Sequence, residues 1–346
     1  MNTLEDIKKP IQSEFEQYIS LFNTTLSHSD ELQNTIFSQI KARGGKRLRP
    51  TLTLLIAKAV GEVTDKTLHS AVALELLHTA SLVHDDVVDN SDERRGQASV
   101  NSTNGNKLAV LLGDYILSTA LLSAASSGDA ELVSILARVG QVLSDGEILQ
   151  LKKDTNLDLD YNTYYKIIEQ KTASLFQACC ESGILSANLS ISISHNNNST
   201  VNPSALSSHS CEDLIQNARD FGKYIGLIFQ IRDDIFDYLP TKELGKPAAK
   251  DMREGKITLP ALYILNNFSC ETIKKLALKV KLGTITDDEI AYFIDYVIQH
   301  KGIEFAEQKM QEFAEKAHSL ADKITQKPAE NAALHALVNF FAQRNI

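Results

Sequence analysis

No proline occurs between Pro50 and Pro203, and across that stretch apolar residues recur mostly three and four positions apart. Proline breaks helix interiors, and a three-to-four spacing lines up one face of a 3.6-residue turn, so the pattern predicts consecutive helices. Leu52, Leu55, Ile56 and Ala59 form one stripe; Leu74, Leu77, Ser81 and Val88 a second; Leu108, Leu111, Leu112, Tyr115 and Leu117 a third. Alternation of period two is nearly absent apart from a short run at Leu189 to Ile193, and the expected class is all-α. Breaks rich in Gly, Pro, Asn, Asp or Lys fall at Gly44-Gly45 and at residues 90–106, 154–160 and 240–260. Residues 188–210, dominated by Ser, Asn and His, are expected to be a flexible insertion. No compositional change marks a linker and no solenoid-length repeat occurs, so residues 1–346 are expected to form a single domain.

Composition narrows the function classes. The formal net charge of -9 disfavours general binding to nucleic acid, so an anionic substrate needs a local positive patch. No uninterrupted apolar run approaches the roughly 20 residues that span a bilayer, and the N-terminus carries no secretory pattern; a soluble, cytoplasmic protein is expected. Cys179, Cys180, Cys211 and Cys270 lack metal-finger or Cys-x-x-Cys spacing and read as buried free thiols.

One internal echo stands out. His84-Asp85-Asp86-Val87-Val88-Asp89 and Arg232-Asp233-Asp234-Ile235-Phe236-Asp237 share a pattern, and each follows a long apolar helical stretch. First and last aspartates four apart stack on one helix face, where like charges repel and a helix C-terminus disfavours anions. A hard divalent cation offsets both, since Mg²⁺ takes one or two carboxylates and leaves positions for water and phosphate. Cations that suit phosphate flank the clusters: Arg94-Arg95-Gly96 after the first, Lys246, Lys250 and Lys256 after the second, and Gly44-Gly45-Lys46-Arg47-Leu48-Arg49-Pro50 upstream.

These motifs, with Lys171-Thr172 and Gly226-x-x-Phe229-Gln230-x-x-Asp233-Asp234-x-x-Asp237, resemble the trans-polyprenyl diphosphate synthases, particularly the long-chain bacterial type that makes quinone side chains. The resemblance spans Gly44 to about Tyr263. It implies a helical bundle around a central apolar cavity, Mg²⁺ as cofactor, a homodimer, and condensation of isopentenyl diphosphate with an allylic diphosphate. By resemblance, Asp85, Asp86, Asp89, Asp233, Asp234 and Asp237 hold the metal ions, and Arg94, Lys171, Lys246 and Lys256 contact the allylic diphosphate. Lys46, Arg49, His78 and Arg95 correspond to positions that hold isopentenyl diphosphate, while Thr172 and Gln230 face the reacting carbons. Lys250 and Asp251 lie in the same loop without a firm role.

The resemblance also implies a gauge of product length below the first cluster. Ala80 and Ser81, with Leu77 and Leu74 lower on the helix, stand where bulky aromatics in the family give short products; small residues imply heptaprenyl to decaprenyl, and such a product would leave through transient membrane contact. The alternatives are a short-chain farnesyl or geranylgeranyl synthase, a terpene cyclase, or a silent partner subunit. A cyclase carries a different second metal motif and needs no second diphosphate pocket, and silent subunits typically lack the aspartates.

Overall fold

The described residues of the proline-free stretch fold mostly as helix. The computed structural model describes residues 3–42, 45–94, 96–154, 160–189, 208–239 and 249–343. The chain runs α1 (Leu4–Lys8), α2 (Gln12–Thr25), α3 (Glu31–Ala42), α4 (Leu48–Val60) and α5 (Asp65–Val88), then α6 (Val100–Asn104), α7 (Asn106–Ser126) and α8 (Ala130–Asp154). Next come α9 (Tyr161–Ile168), a π-helical segment (Glu169–Ala173), α10 (Ser174–Ser186) and α11 (Ser208–Phe236). The C-terminal part holds α12 (Lys250–Arg253), α13 (Leu259–Asn267), α14 (Glu271–Lys281), α15 (Asp287–Gln299), α16 (Gly302–Ile324) and α17 (Pro328–Gln343). Two antiparallel two-residue pairs interrupt the helices: β1 (Gly61–Glu62) with β4 (Asn188–Leu189), and β2 (Glu93–Arg94) with β3 (Gln97–Ala98).

The chain groups into two compact units. The first comprises Met1–Gly140, Leu175–Gly222 and His318–Leu337. Its centre is α4 and α5, which pack on each other and are buried on nearly every side, α4 along its length and α5 through its middle. Buried threonines find partners close by: Thr51 Oγ1 donates to the Arg47 carbonyl at 2.7 Å, and Thr67 joins Thr64 in a capping box that starts α5. Arg47, in left-handed backbone just before α4, sends Nη1 to Glu75 Oε1 at 2.9 Å and lays its guanidinium over the Phe22 ring.

Along α5 runs α7, and here the sequence stripe was misplaced. The buried seam of α7 is Ala109, Leu112, Gly113, Ile116, Ala120 and Ala124, whereas Leu111 faces outward with Val110, Leu121 and Leu122, and Tyr115 turns to stack on Phe37 of α3. Val88, placed on the α5 stripe, is also exposed. An apolar helix with several candidate stripes gives no sequence reason to choose one, and small residues win the seam because they let backbones approach. Gly113 shows this: a Cβ there would lie 2.2 Å from His84 Nε2. Gly113→Ala is therefore expected to cost about 2 kcal/mol of stability. All the close atoms belong to one side chain, so His84→Ala added to it should restore most of the loss, as read by denaturant melts of the two variants.

By length and composition α7 also meets the requirement for crossing a bilayer, alone among the described residues. The sequence reading missed this because Gly113, Asp114, Ser118 and Thr119 break the apolar run. Other corrections concern the edges of elements. Residues 90–106 hold β2, β3 and α6 rather than an open loop. The expected insertion at 188–210 begins as β4, registered Gly61 to Leu189, and its end at 208–210 is already α11; residues 190–207 lie outside the described residues. Cys179 and Cys180 are buried, and burial pushes the Cys179 thiol up to about 12, but Cys211 is half-buried and Cys270 is exposed.

The second unit comprises Gln141–Ser174, Lys223–Ala317 and Val338–Ile346. Its core draws Ile228, Ile231 and Ile235 from α11, Leu262 and Ile264 from α13, Ile273 and Val280 from α14, and Phe293 and Val297 from α15.

Candidate active site

The two aspartate clusters end the two long helices, as their sequence positions suggested. In the first unit Asp85 and Asp86 occupy the last turn of α5, and Asp89 is its C-cap, its N–H donating to the Asp85 carbonyl at 2.8 Å. Asp86 is buried, and Arg94, brought back by the β2–β3 hairpin, donates Nε to Asp86 Oδ1 at 2.6 Å. The Asp86 carbonyl accepts from the Ser91 N–H at 2.9 Å and from Asn101 Nδ2 at 3.2 Å, which fixes the chain as it leaves the helix. Asp85 is half-buried and Asp89 exposed.

On the same helix Leu77 and Ala80 are buried; Ser81 and His78 are half-buried, and Ser81 Oγ donates to the His78 carbonyl at 2.9 Å. Upstream, Lys46 is exposed, and the Arg49 guanidinium stands 4.9 Å from the Phe176 ring centroid. Arg95 lies outside the described residues.

In the second unit Asp233 and Asp234 fall in the last turn of α11, with Asp237 one residue past its end. Their environments differ sharply. Asp233 is exposed. Asp234 is buried, accepting from the Tyr164 hydroxyl at 2.6 Å and from Gln230 Nε2 at 2.9 Å. Burial, then the charge of Asp251, pushes its carboxyl up to about 8 against the pull of those two donors. Asp237 accepts backbone N–H groups of Lys250 at 2.7 Å and Asp251 at 3.1 Å, so it anchors the start of α12; burial and the Asp251 charge raise it to about 7. Asp251, half-buried beside them, is itself raised by burial and held down first by Lys256. Lys256 pairs with Glu254 at 2.6 Å. Lys246 lies outside the described residues.

Lys171 and Thr172 sit in the π-helical segment, where an extra residue per turn re-aims side chains. Lys171 Nζ reaches Glu147 at 2.7 Å and Gln150 at 2.8 Å on α8. Thr172 Oγ1 donates to Gln230 Oε1 at 2.7 Å. The structure thus joins Thr172, Gln230 and Asp234, and joins Arg94 to Asp86. It adds Tyr164, Asn101 and Glu147, which no sequence motif marked.

These carboxyl groups fit a cation. Oxygen donors suit a hard divalent ion, and at each helix end a carboxylate that reaches solvent, Asp89 in the first cluster and Asp233 in the second, leaves oxygen within its reach. Among the described residues no three His, Cys, Asp or Glu side chains converge into a cage of their own. Mg²⁺ characteristically completes its shell with water and phosphate oxygens.

The sequence matches the family described as Polyprenyl synthetase over residues 30–297. It is 30% identical over 326 residues to the octaprenyl diphosphate synthase of Escherichia coli (strain K12), covering 92% of each chain. Among solved structures, the geranylgeranyl pyrophosphate synthase of Bacteroides thetaiotaomicron aligns with a TM-score of 0.81 at 37% identity, over 99% of this chain and 100% of that one. The polyprenyl synthase of Caulobacter crescentus CB15, complexed with calcium and isoprenyl diphosphate, aligns with a TM-score of 0.86 at 28% identity, over 100% of this chain and 99% of that one. The chain belongs to the polyprenyl synthetase family, has its all-α isoprenoid synthase fold, and is a prenyltransferase.

Proposed function

We propose that residues 1–346 form one Mg²⁺-dependent synthase domain that condenses isopentenyl diphosphate head to tail with an allylic diphosphate, giving a long-chain product. The observation that carries this reading is the repeated construction of the helix ends: each cluster buries its middle aspartate against fixed partners, Arg94 for Asp86 and Tyr164 with Gln230 for Asp234. That construction supports Asp85, Asp89 and Asp233 as the metal-facing carboxylates, with Asp86, Asp234 and Asp237 holding the helix ends in place. The bound ions supply Lewis-acid neutralisation of the departing diphosphate.

The chain's own residues do the rest. Arg94, Lys171, Lys246 and Lys256 add positive charge around the allylic diphosphate as its carbon–oxygen bond breaks. Lys46, Arg49, His78 and Arg95 hold isopentenyl diphosphate so that its double bond meets the allylic carbon. Thr172 and Gln230 present oxygen to that carbon while it carries positive charge. The proton lost afterwards goes to the released diphosphate, so no dedicated base is needed.

Exposed Val110, Leu111, Leu121 and Leu122 on α7 support a homodimer, since a helix face this apolar is commonly covered by a partner. The reading places the enzyme in the cytoplasm, with transient membrane contact to release an apolar product. The test is incubation with Mg²⁺, isopentenyl diphosphate and starters of different lengths, the products read by mass; a heptaprenyl to decaprenyl product is expected. A second reading, a short-chain product, draws on the 37% identity with a geranylgeranyl synthase. Ser81→Phe and Ala80→Phe separate the two: both should shorten a long product by several isoprene units. Unchanged lengths in both variants would remove this face of α5 as the gauge.

A further inference from the structure

Within the second unit a chain of hydrogen bonds runs from Tyr164 to Thr172, and each link fixes the direction of the next. Tyr164 is buried, and burial together with the neighbouring Asp234 holds its hydroxyl well above the usual value, so it remains a proton donor. It donates to Asp234 Oδ2 at 2.6 Å, and Asp234 Oδ1 accepts from Gln230 Nε2 at 2.9 Å. With Asp234 ionised, a Gln230 amide turned over would set its carbonyl against a carboxylate, so the amide keeps Nε2 on Asp234 and Oε1 on the far side. There it accepts from Thr172 Oγ1 at 2.7 Å. The Thr172 proton is thereby committed, and the remaining face of its oxygen offers lone pairs.

The backbone beneath this chain is equally constrained. Gly146 on α8 and Gly226 on α11 clear the space for the π-helical segment: a Cβ at Gly146 would lie 2.9 Å from Lys171 Cγ, and one at Gly226 only 2.4 Å from Ala173 Cα. A π-turn costs hydrogen-bond geometry and persists where packing holds it, commonly at functional sites.

We propose that Tyr164 is a positioning residue for the condensation, acting through Asp234 and Gln230 to set the direction of the Thr172 hydroxyl. This rests on the reading above, in which Thr172 meets the allylic carbon. An oxygen aimed with its lone pairs at a developing cation stabilises it, whereas an O–H turned the same way repels it.

The experiment is a double-mutant cycle in the full chain, with Mg²⁺, isopentenyl diphosphate and farnesyl diphosphate as substrates. Mn²⁺ binding in the presence of methylene diphosphonate, measured by calorimetry, gives a readout independent of turnover. Tyr164→Phe removes one oxygen; kcat should fall roughly ten- to a hundredfold. Both KM values and the Mn²⁺ affinity should stay within about twofold. Thr172→Val should slow turnover at least as much, and adding Tyr164→Phe to it should change kcat by less than about twofold. Thr172→Ser keeps the hydroxyl and should remain sensitive to Tyr164→Phe. Additive losses, Mn²⁺ binding that weakens in step with kcat, or a Tyr164→Phe enzyme as fast as the parent would each overturn the proposal. Absence of elongation by the parent enzyme would instead sink the condensation reading, and this one with it; elongation with an additive cycle would sink this one alone.

Discussion

Asp85→Ala and Asp233→Ala are each expected to lower kcat/KM by about 10³-fold or more while leaving the protein as stable as before or slightly more so. The activity side follows from charge: losing a carboxylate that faces a metal removes several kcal/mol of transition-state stabilisation, and each ~1.4 kcal/mol is tenfold in rate. The stability side follows from the helix ends. Both aspartates lie in the last turn of a long helix, where the carbonyl end of the dipole disfavours an anion by roughly 0.3–1 kcal/mol. Asp86→Ala and Asp234→Ala should behave differently. The first strips Arg94 of its partner, and the second leaves the Tyr164 hydroxyl and the Gln230 amide without their acceptor. Unsatisfied buried donors cost about 1–3 kcal/mol each, so these two should melt lower as well as work worse. Steady-state kinetics beside thermal melts separates the classes. If all four variants melted lower by similar amounts, the division into metal-facing and anchoring carboxylates would be wrong.

Much of this was legible in the sequence, and the reason is local. Helices of the proline-free stretch and the placement of both clusters at helix ends follow from periodicity within one element. What was not legible depends on contacts between elements. Tyr164 sits in an ordinary amphipathic helix, seven residues before Lys171, and nothing in that spacing reveals that its hydroxyl reaches a carboxyl seventy residues away. The π-helical turn has no signature of its own; Gly146 and Gly226 made it possible, and each glycine by itself reads as a packing contact. Asp237 matched the spacing of the motif, and nothing in that spacing showed that its carboxylate also accepts the backbone N–H groups that start α12. On α7, a helix apolar on several faces, composition could not say which face is covered.

Arg47 was hidden in the same way, inside a motif read as phosphate-binding, and it supports the other large expected effect. Its guanidinium, nearly buried at 13% side-chain exposure, pairs with Glu75 at 9% in the core of the first unit, with the Phe22 ring beneath it. Buried Tyr18 stands close enough for the Glu75 charge to help hold its hydroxyl above the usual range, after burial itself. Charges this far from water gain their mutual attraction only as a pair. Glu75→Leu or Arg47→Met alone strands the other charge and is expected to cost about 3–5 kcal/mol. The double replacement removes both desolvation penalties and keeps the volume, so it should recover most of that loss. Urea melts of the two single variants and the double variant measure this directly. A double variant as unstable as the sum of the singles would mean that Arg47 stabilises the unit through its stacking on Phe22 rather than through Glu75. A double variant near the parent would place Arg47 in the architecture of the fold rather than at the diphosphate.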